Sequence, residues 1–150
     1  MPIKTFRGLI ADGTQDTIVL HTNDGSTGYR IVKFKISQNE PGQADIESTV
    51  KIYKIPQSTA DSVIDFSDNT LLAVGYWAGK DTAANTDTLG PIIFDQEIFN
   101  QDIYITHHDA ATGEACNYYI ELEQIKLDLS ESTVATLKDI RNLEYPPPGG

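Results

Sequence analysis

Apolar and polar residues alternate along the chain in short runs, and Gly, Asn, Asp and Pro separate those runs. A period of two sends successive side chains to opposite faces of a strand, so the pattern predicts an all-β domain. Strands are expected at "KTFRGLIA" (4–11), "TIVLHT" (17–22) and "YRIVKFKIS" (29–37). In the last of these, Val32, Phe34 and Ile36 share one face and Lys33 and Lys35 the other. "NDGSTG" (23–28) is turn chemistry, because Asn, Asp and Gly tolerate positive φ. "STVKIYKI" (48–55) sets Val50 and Ile52 opposite Lys51 and Tyr53, and Pro56 closes it.

Two further strands are expected at "SVIDFS" (62–67) and "TLLAVGYWAG" (70–79). The second is almost continuously apolar, as befits a central strand covered on both faces. "KDTAANTDTLGP" (80–91) reads as a twelve-residue polar surface loop. Strands then follow at "IIFDQEIF" (92–99), "DIYITHH" (102–108) and "NYYIELEQIKLDL" (117–129). In the last, Tyr118, Ile120 and Leu122 share a face, but Ile125, Leu127 and Leu129 continue displaced by one, so a β-bulge is expected near Glu123 and Gln124.

One segment departs from the period of two. Val134, Leu137, Ile140 and Arg141 recur at helical spacing in "SESTVATLKDIRN" (130–142), with Ser130 or Ser132 as N-cap. "LEYPPPGG" (143–150) is expected to be an extended Pro-rich tail. The fold class is therefore a β-sandwich or jelly roll of eight to nine short antiparallel strands. A single domain spans 1–142 and ends in one short helix, and the tail spans 143–150.

Composition narrows the function. In 150 residues there are 22 acidic and 11 basic ones, a net charge of −11. That balance argues against nucleic acid and against an anionic membrane surface, both of which are bound through Lys and Arg. The single Cys116 allows no intrachain disulfide. The opening "MPIKTFRGLIADG" has no apolar core of a signal peptide, and no run approaches a membrane span.

The stretch "ITHHDAATGEACNYYIELEQ" (105–124) crowds His107, His108, Asp109, Glu114 and Cys116 together. Adjacent histidines on a strand point to opposite faces, and the spacing matches no zinc pattern. Asp109 and Gly113 suit a turn, so the stretch reads as a β-hairpin. Cys116 facing one of the histidines would make a nucleophile and base, but no nucleophile elbow surrounds it, and a lone Cys is commonly a small buried apolar residue.

Elsewhere, Glu121 and Glu123 lie on one strand face, where a glycosidase needs carboxyls across a cleft. "DFSDN" (65–69) and "DTAANTD" (81–87) lack the full acidic spacing of a calcium loop. Trp77 with Tyr76 would suit sugar stacking if exposed, and core packing if not. No catalytic constellation emerges, so neither enzymatic activity nor a cofactor is expected.

Taken as a whole, with "FDQEIFNQDIYITHHDAATGEACNYYIELEQIKLDLSESTVATLKDIRN" (94–142) most telling, the chain resembles small structural proteins of tailed bacteriophages. It resembles especially the capsid decoration, or cement, proteins of marine and cyanobacterial phages. The resemblance covers about the last third of the chain and brings no site residues with it. It implies a virion protein made in the host cytoplasm that binds the major capsid protein on the capsid surface, often as a homotrimer. Interface residues are expected in the tail, at Leu143, Tyr145, Pro146 and Pro147, and at the hairpin tip, at His107 and His108. The alternatives are a carbohydrate-binding module of a tail or fibre, a head–tail connector or tail component, and, last, a metal- or cysteine-dependent enzyme.

Overall fold

The computed structural model describes residues 2–23, 25–40, 45–79 and 86–128, with backbone alone at 86–89. These residues form eight strands: β1 (Ile3–Ile10), β2 (Thr14–Ile18), β3 (Thr27–Gln38), β4 (Ile46–Tyr53), β5 (Leu71–Gly79), β6 (Thr86–Ile93), β7 (Ile103–Asp109) and β8 (Cys116–Lys126). All pairings are antiparallel, and no helix occurs among the described residues. The expected helix (130–142) and tail (143–150) lie outside them.

The strands make a three-stranded sheet, β1-β8-β3, and a five-stranded sheet, β2-β7-β4-β5-β6. Pairing is nested: β1 joins β8, β2 joins β7 and β4 joins β5. Between β3 and the segment following β6, Tyr29 and Phe99 exchange backbone hydrogen bonds of 2.8 and 3.0 Å, and their rings stack. One apolar cluster draws on both sheets, with Phe34, Ile120 and Leu122 from the smaller and Val50, Ile52, Ile103 and Ile105 from the larger. Tyr118 of β8 reaches across to β2, donating to Asp16 Oδ2 at 3.2 Å. Its ring passes over Gly8, where an added Cβ would lie 2.9 Å from the Tyr118 hydroxyl oxygen.

Six strands fall where the alternation placed them, and four details differ. Residues 62–67 are not a strand. Asp61, Asp65 and Asp68 each accept the N–H two residues on, at Val63, Ser67 and Thr70, so local side-chain acceptors replace a ladder. The second strand ends at Ile18 instead of continuing to 22, because Asp102 Oδ1 takes the N–H groups of Leu20 and His21. The loop expected at 80–91 contains most of β6, an edge strand whose Gly90 and Pro91 fall where the register with β5 shifts. Pro is tolerated there because an edge or bulge needs no N–H. The chain then leaves the sheet through left-handed Asp95 and Gln96, so 92–99 is strand only to Ile93.

The expected bulge lies on the partner strand. β8 pairs with β1 without interruption, whereas the β3–β8 register shifts between Ile31 and Lys33. Val32 is the extra residue and is exposed, so it does not share the inward face of Phe34 and Ile36. The slip in apolar phase along β8 reflects the end of the strand at Lys126, after which Leu127 turns inward and bonds Ser26 O at 2.8 Å.

Residues 54–70 form a strap over the outer face of β4. Lys51 alternates away from Val50 and Ile52 yet is only 2% exposed. Its Nζ donates to Asp61 Oδ1 at 2.9 Å and to Val63 O at 2.6 Å. Burial alone would lower the Lys51 pKa, but hydrogen bonds to Asp61 and Tyr53 outweigh it and raise the value. Lys54, also buried, pairs with Glu97 at 2.7 Å. Lys51→Ala should cost about 1–3 kcal/mol, since it removes a buried side chain with its hydrogen bonds to Asp61 and Val63 O. Hydrogen exchange at 61–70 should speed up, and an unchanged exchange pattern would show that Lys51 does not hold the strap.

Candidate functional site

The His-His-Asp-Cys stretch is not a hairpin. β7 belongs to the five-stranded sheet and β8 to the three-stranded one, so residues 110–115 cross between sheets. Residues 11–13 cross beside them, from β1 to β2, and Gly13 N donates to His107 O at 2.8 Å. Leaving one ladder for another exposes backbone donors, and two carboxylates collect them. Asp109 accepts from the N–H of Glu47, Ala111 and Glu114, at 3.0, 2.9 and 2.8 Å. Asp12 accepts from the N–H of Asp109 at 2.7 Å. Burial pushes the Asp109 carboxyl up, and those backbone donors overcome it, so the group stays below the ordinary carboxylate range. The expected turn chemistry holds, with Gly113 at a φ of 79°.

The two histidines diverge as adjacent strand residues must. His107 is fully buried and bridges the sheets. Its Nδ1 lies 3.1 Å from Ile10 O, which can only accept, so Nδ1 carries the proton and Nε2 accepts from Ser48 Oγ at 3.1 Å. His108 faces outward, half-buried, with Nδ1 3.2 Å from Asp12 Oδ1. Of the two, only His108 has surface to offer a neighbour. The tail residues Leu143, Tyr145, Pro146 and Pro147 lie outside the described residues.

Cys116 does approach His107, through Ser48, which contacts both. The chemistry runs against a nucleophile. Burial pushes the thiol up to about 11, and Sγ points to Ser37 O at 3.4 Å. A reactive cysteine needs the opposite, a depressed pKa and access. Among the described residues no group of three or more His, Cys, Asp or Glu side chains could hold a metal ion.

The other candidates resolve in the same way. Glu121 accepts the Tyr119 hydroxyl at 2.7 Å and Glu123 pairs with Arg30 at 3.0 Å, so they do not face each other across a cleft. Asp65 and Asp68 hold their own turns, as above, and residues 81–85 of the second loop lie outside the described residues. Trp77 and Tyr76 are half-buried, and Trp77 Nε1 is buried without a hydrogen-bond partner among the described residues. Sequence reasoning missed Ser48 and Asp12, because nothing local marks a Ser in one strand or an Asp in a turn as the partner of a distant histidine.

No protein-family model matches the chain, and no curated protein matches it.

Two outcomes follow from the buried polar groups. Burial lowers the His107 pKa below its ordinary 6.5, so the unfolded chain takes up a proton that the folded one refuses. Its contribution to stability is complete above about pH 6.5 and declines as pH falls below that value. Denaturant midpoints measured between about pH 7 and pH 5 should show this slope in the wild type and lose it in His107→Gln. The lowered carboxylates Asp61, Asp102 and Asp109 act in a separate window, below about pH 4. Cys116, for its part, should resist a thiol reagent in the native protein and react once the chain is unfolded; rapid native labelling would contradict its burial.

Proposed function

We propose that the protein is a structural component of a tailed-phage virion, a decoration protein bound to the major capsid protein on the outside of the head. The observation that carries this reading is the nested pairing of β1 with β8, β2 with β7 and β4 with β5, closed by the Tyr29–Phe99 bridge. Apart from β6, which pairs with β5 and not with β3, the order is compatible with a jelly-roll sandwich, an architecture used by viral capsid and lectin domains. Further support comes from the roles of the reactive side chains. His107, Asp109 and Asp12 are engaged where the chain crosses between sheets and Cys116 is buried against Ser37 O, which favours a protein that acts through its surfaces.

A decoration protein works by contact area and by repetition. Each copy ties neighbouring capsid subunits together, and a homotrimer multiplies a modest single-site affinity into avidity. A closed symmetric oligomer also suits a symmetric position on a lattice. The acidic balance keeps such a protein soluble, and unattached to nucleic acid, until it meets its shell.

Co-expression with the major capsid protein of the genome that encodes it provides the test. The protein should be oligomeric in solution and should pellet with expanded shells. A monomer that stays in the supernatant refutes the reading, and pelleting only with tails or portal rings moves the protein to those parts of the virion.

A further inference from the structure

Two exposed patches lie on opposite sides of the molecule and complement each other in charge and in apolar character. The first is the outer face of the three-stranded sheet. Arg7, Tyr119 and Lys35 form one rung across its strands, with exposed Leu9 beside it and Lys33 two residues on. A shallow depression of about 480 Å³ lies over this rung. Its two carboxylates are engaged within the sheet, Glu121 by the Tyr119 hydroxyl and Glu123 by Arg30. Among the described residues Arg7, Lys33 and Lys35 make no ion pair, so this face is basic in a chain of net charge −11.

The second patch is the strap on the far side. Val63 is 65% exposed and Phe66 59%, and Phe66 packs edge-on against Phe94 at 5.1 Å. Asp65, Asp68 and Asp95 surround them in sequence. Apolar side chains this exposed, flanked in sequence by charge of one sign, mark an interaction surface. The only cations of the strap and its anchor, Lys54 and Lys51, are already paired with Glu97 and Asp61.

We propose that the two patches meet between copies of this chain. The strap of one protomer seats on the outer face of the next one's three-stranded sheet. Val63 and Phe66 lie against Leu9 and Tyr119, and the strap aspartates face Arg7, Lys33 and Lys35. Because the patches differ and lie on opposite faces, the contact is heterologous, and it builds a ring wherever the rotation closes. The inference rests on the homo-oligomer of the proposed function and names its interface.

The test is self-association in solution with no capsid present, so its failure leaves capsid binding a separate question. Sedimentation should show an oligomer in the wild type. Arg7→Glu with Lys35→Glu breaks the basic face, and Val63→Lys with Phe66→Lys breaks the strap. Each double variant should associate roughly a hundredfold more weakly, since like charges then meet. Both change exposed residues and should keep the wild-type circular dichroism. Mixed together, the two variants should reassemble in alternation, because the unchanged strap of one meets the unchanged face of the other and the Lys-bearing strap meets the Glu-bearing face. Placed in a single chain, all four changes should restore the oligomer. A monomeric wild type, variants that still assemble, or folded variants that fail to pair on mixing would each overturn the proposal. So would retention of a monomeric wild type on immobilised polygalacturonate, which would assign the basic face to an anionic glycan.

Discussion

Much of this fold depends on the chain changing sheets at one end without leaving backbone donors unmet. The crossings at 11–13 and 110–115 run side by side, and each interrupts a ladder. A buried N–H without an acceptor costs on the order of 1–3 kcal/mol, so several in one place would undo much of a small domain's stability. Asp109 gathers three of the donors at this end, and Asp12 ties the second crossing to the first through the Asp109 N–H. His107 completes the join by hydrogen-bonding a carbonyl of the other sheet and a serine of its own. The cluster that looks chemical in the sequence is the fastening of the two sheets.

The same economy shapes the outer faces, with opposite results. Over β4, two lysines are drawn under a strap and compensated there, Lys51 by Asp61 and Val63 O, and Lys54 by Glu97. Over β8, the cations stay at the surface beside an aromatic residue. Taking a charge out of water demands a partner with good geometry, which Asp61 of the strap gives Lys51 and Glu97 gives Lys54. Among the described residues, one face is closed by the chain itself and the other is left open.

Much of this was legible in the sequence. The alternation in 4–11, 29–37 and 48–55 located β1, β3 and β4, the continuous apolar run located β5, and the divergence of His107 and His108 followed from strand geometry alone. What was not legible depends on partners distant in sequence. "DAATGE" has the same turn chemistry whether the next strand returns to the same sheet or enters the other one, so a crossing was read as a hairpin. "SVIDFS" has strand-like residues, but aspartates two positions before Val63, Ser67 and Thr70 capture the backbone first. The extra residue at Val32 displaces a register shared by two strands, and sequence alone does not say which of them carries it. Ser48 was silent for the same reason, since its role exists only once β4 lies beside β7.

The strap has a mechanical consequence. Its anchors, Lys51 and Lys54, sit on or just past β4, the middle strand of the larger sheet. A pull on the strap therefore enters the sheet where a ladder lies on either side, with β7 on one flank and β5 on the other. Force applied there is shared between two rows of hydrogen bonds, whereas force applied at β2 or β6 would peel a single row from an edge. The strap is the handle by which this domain can be loaded with least risk of unzipping.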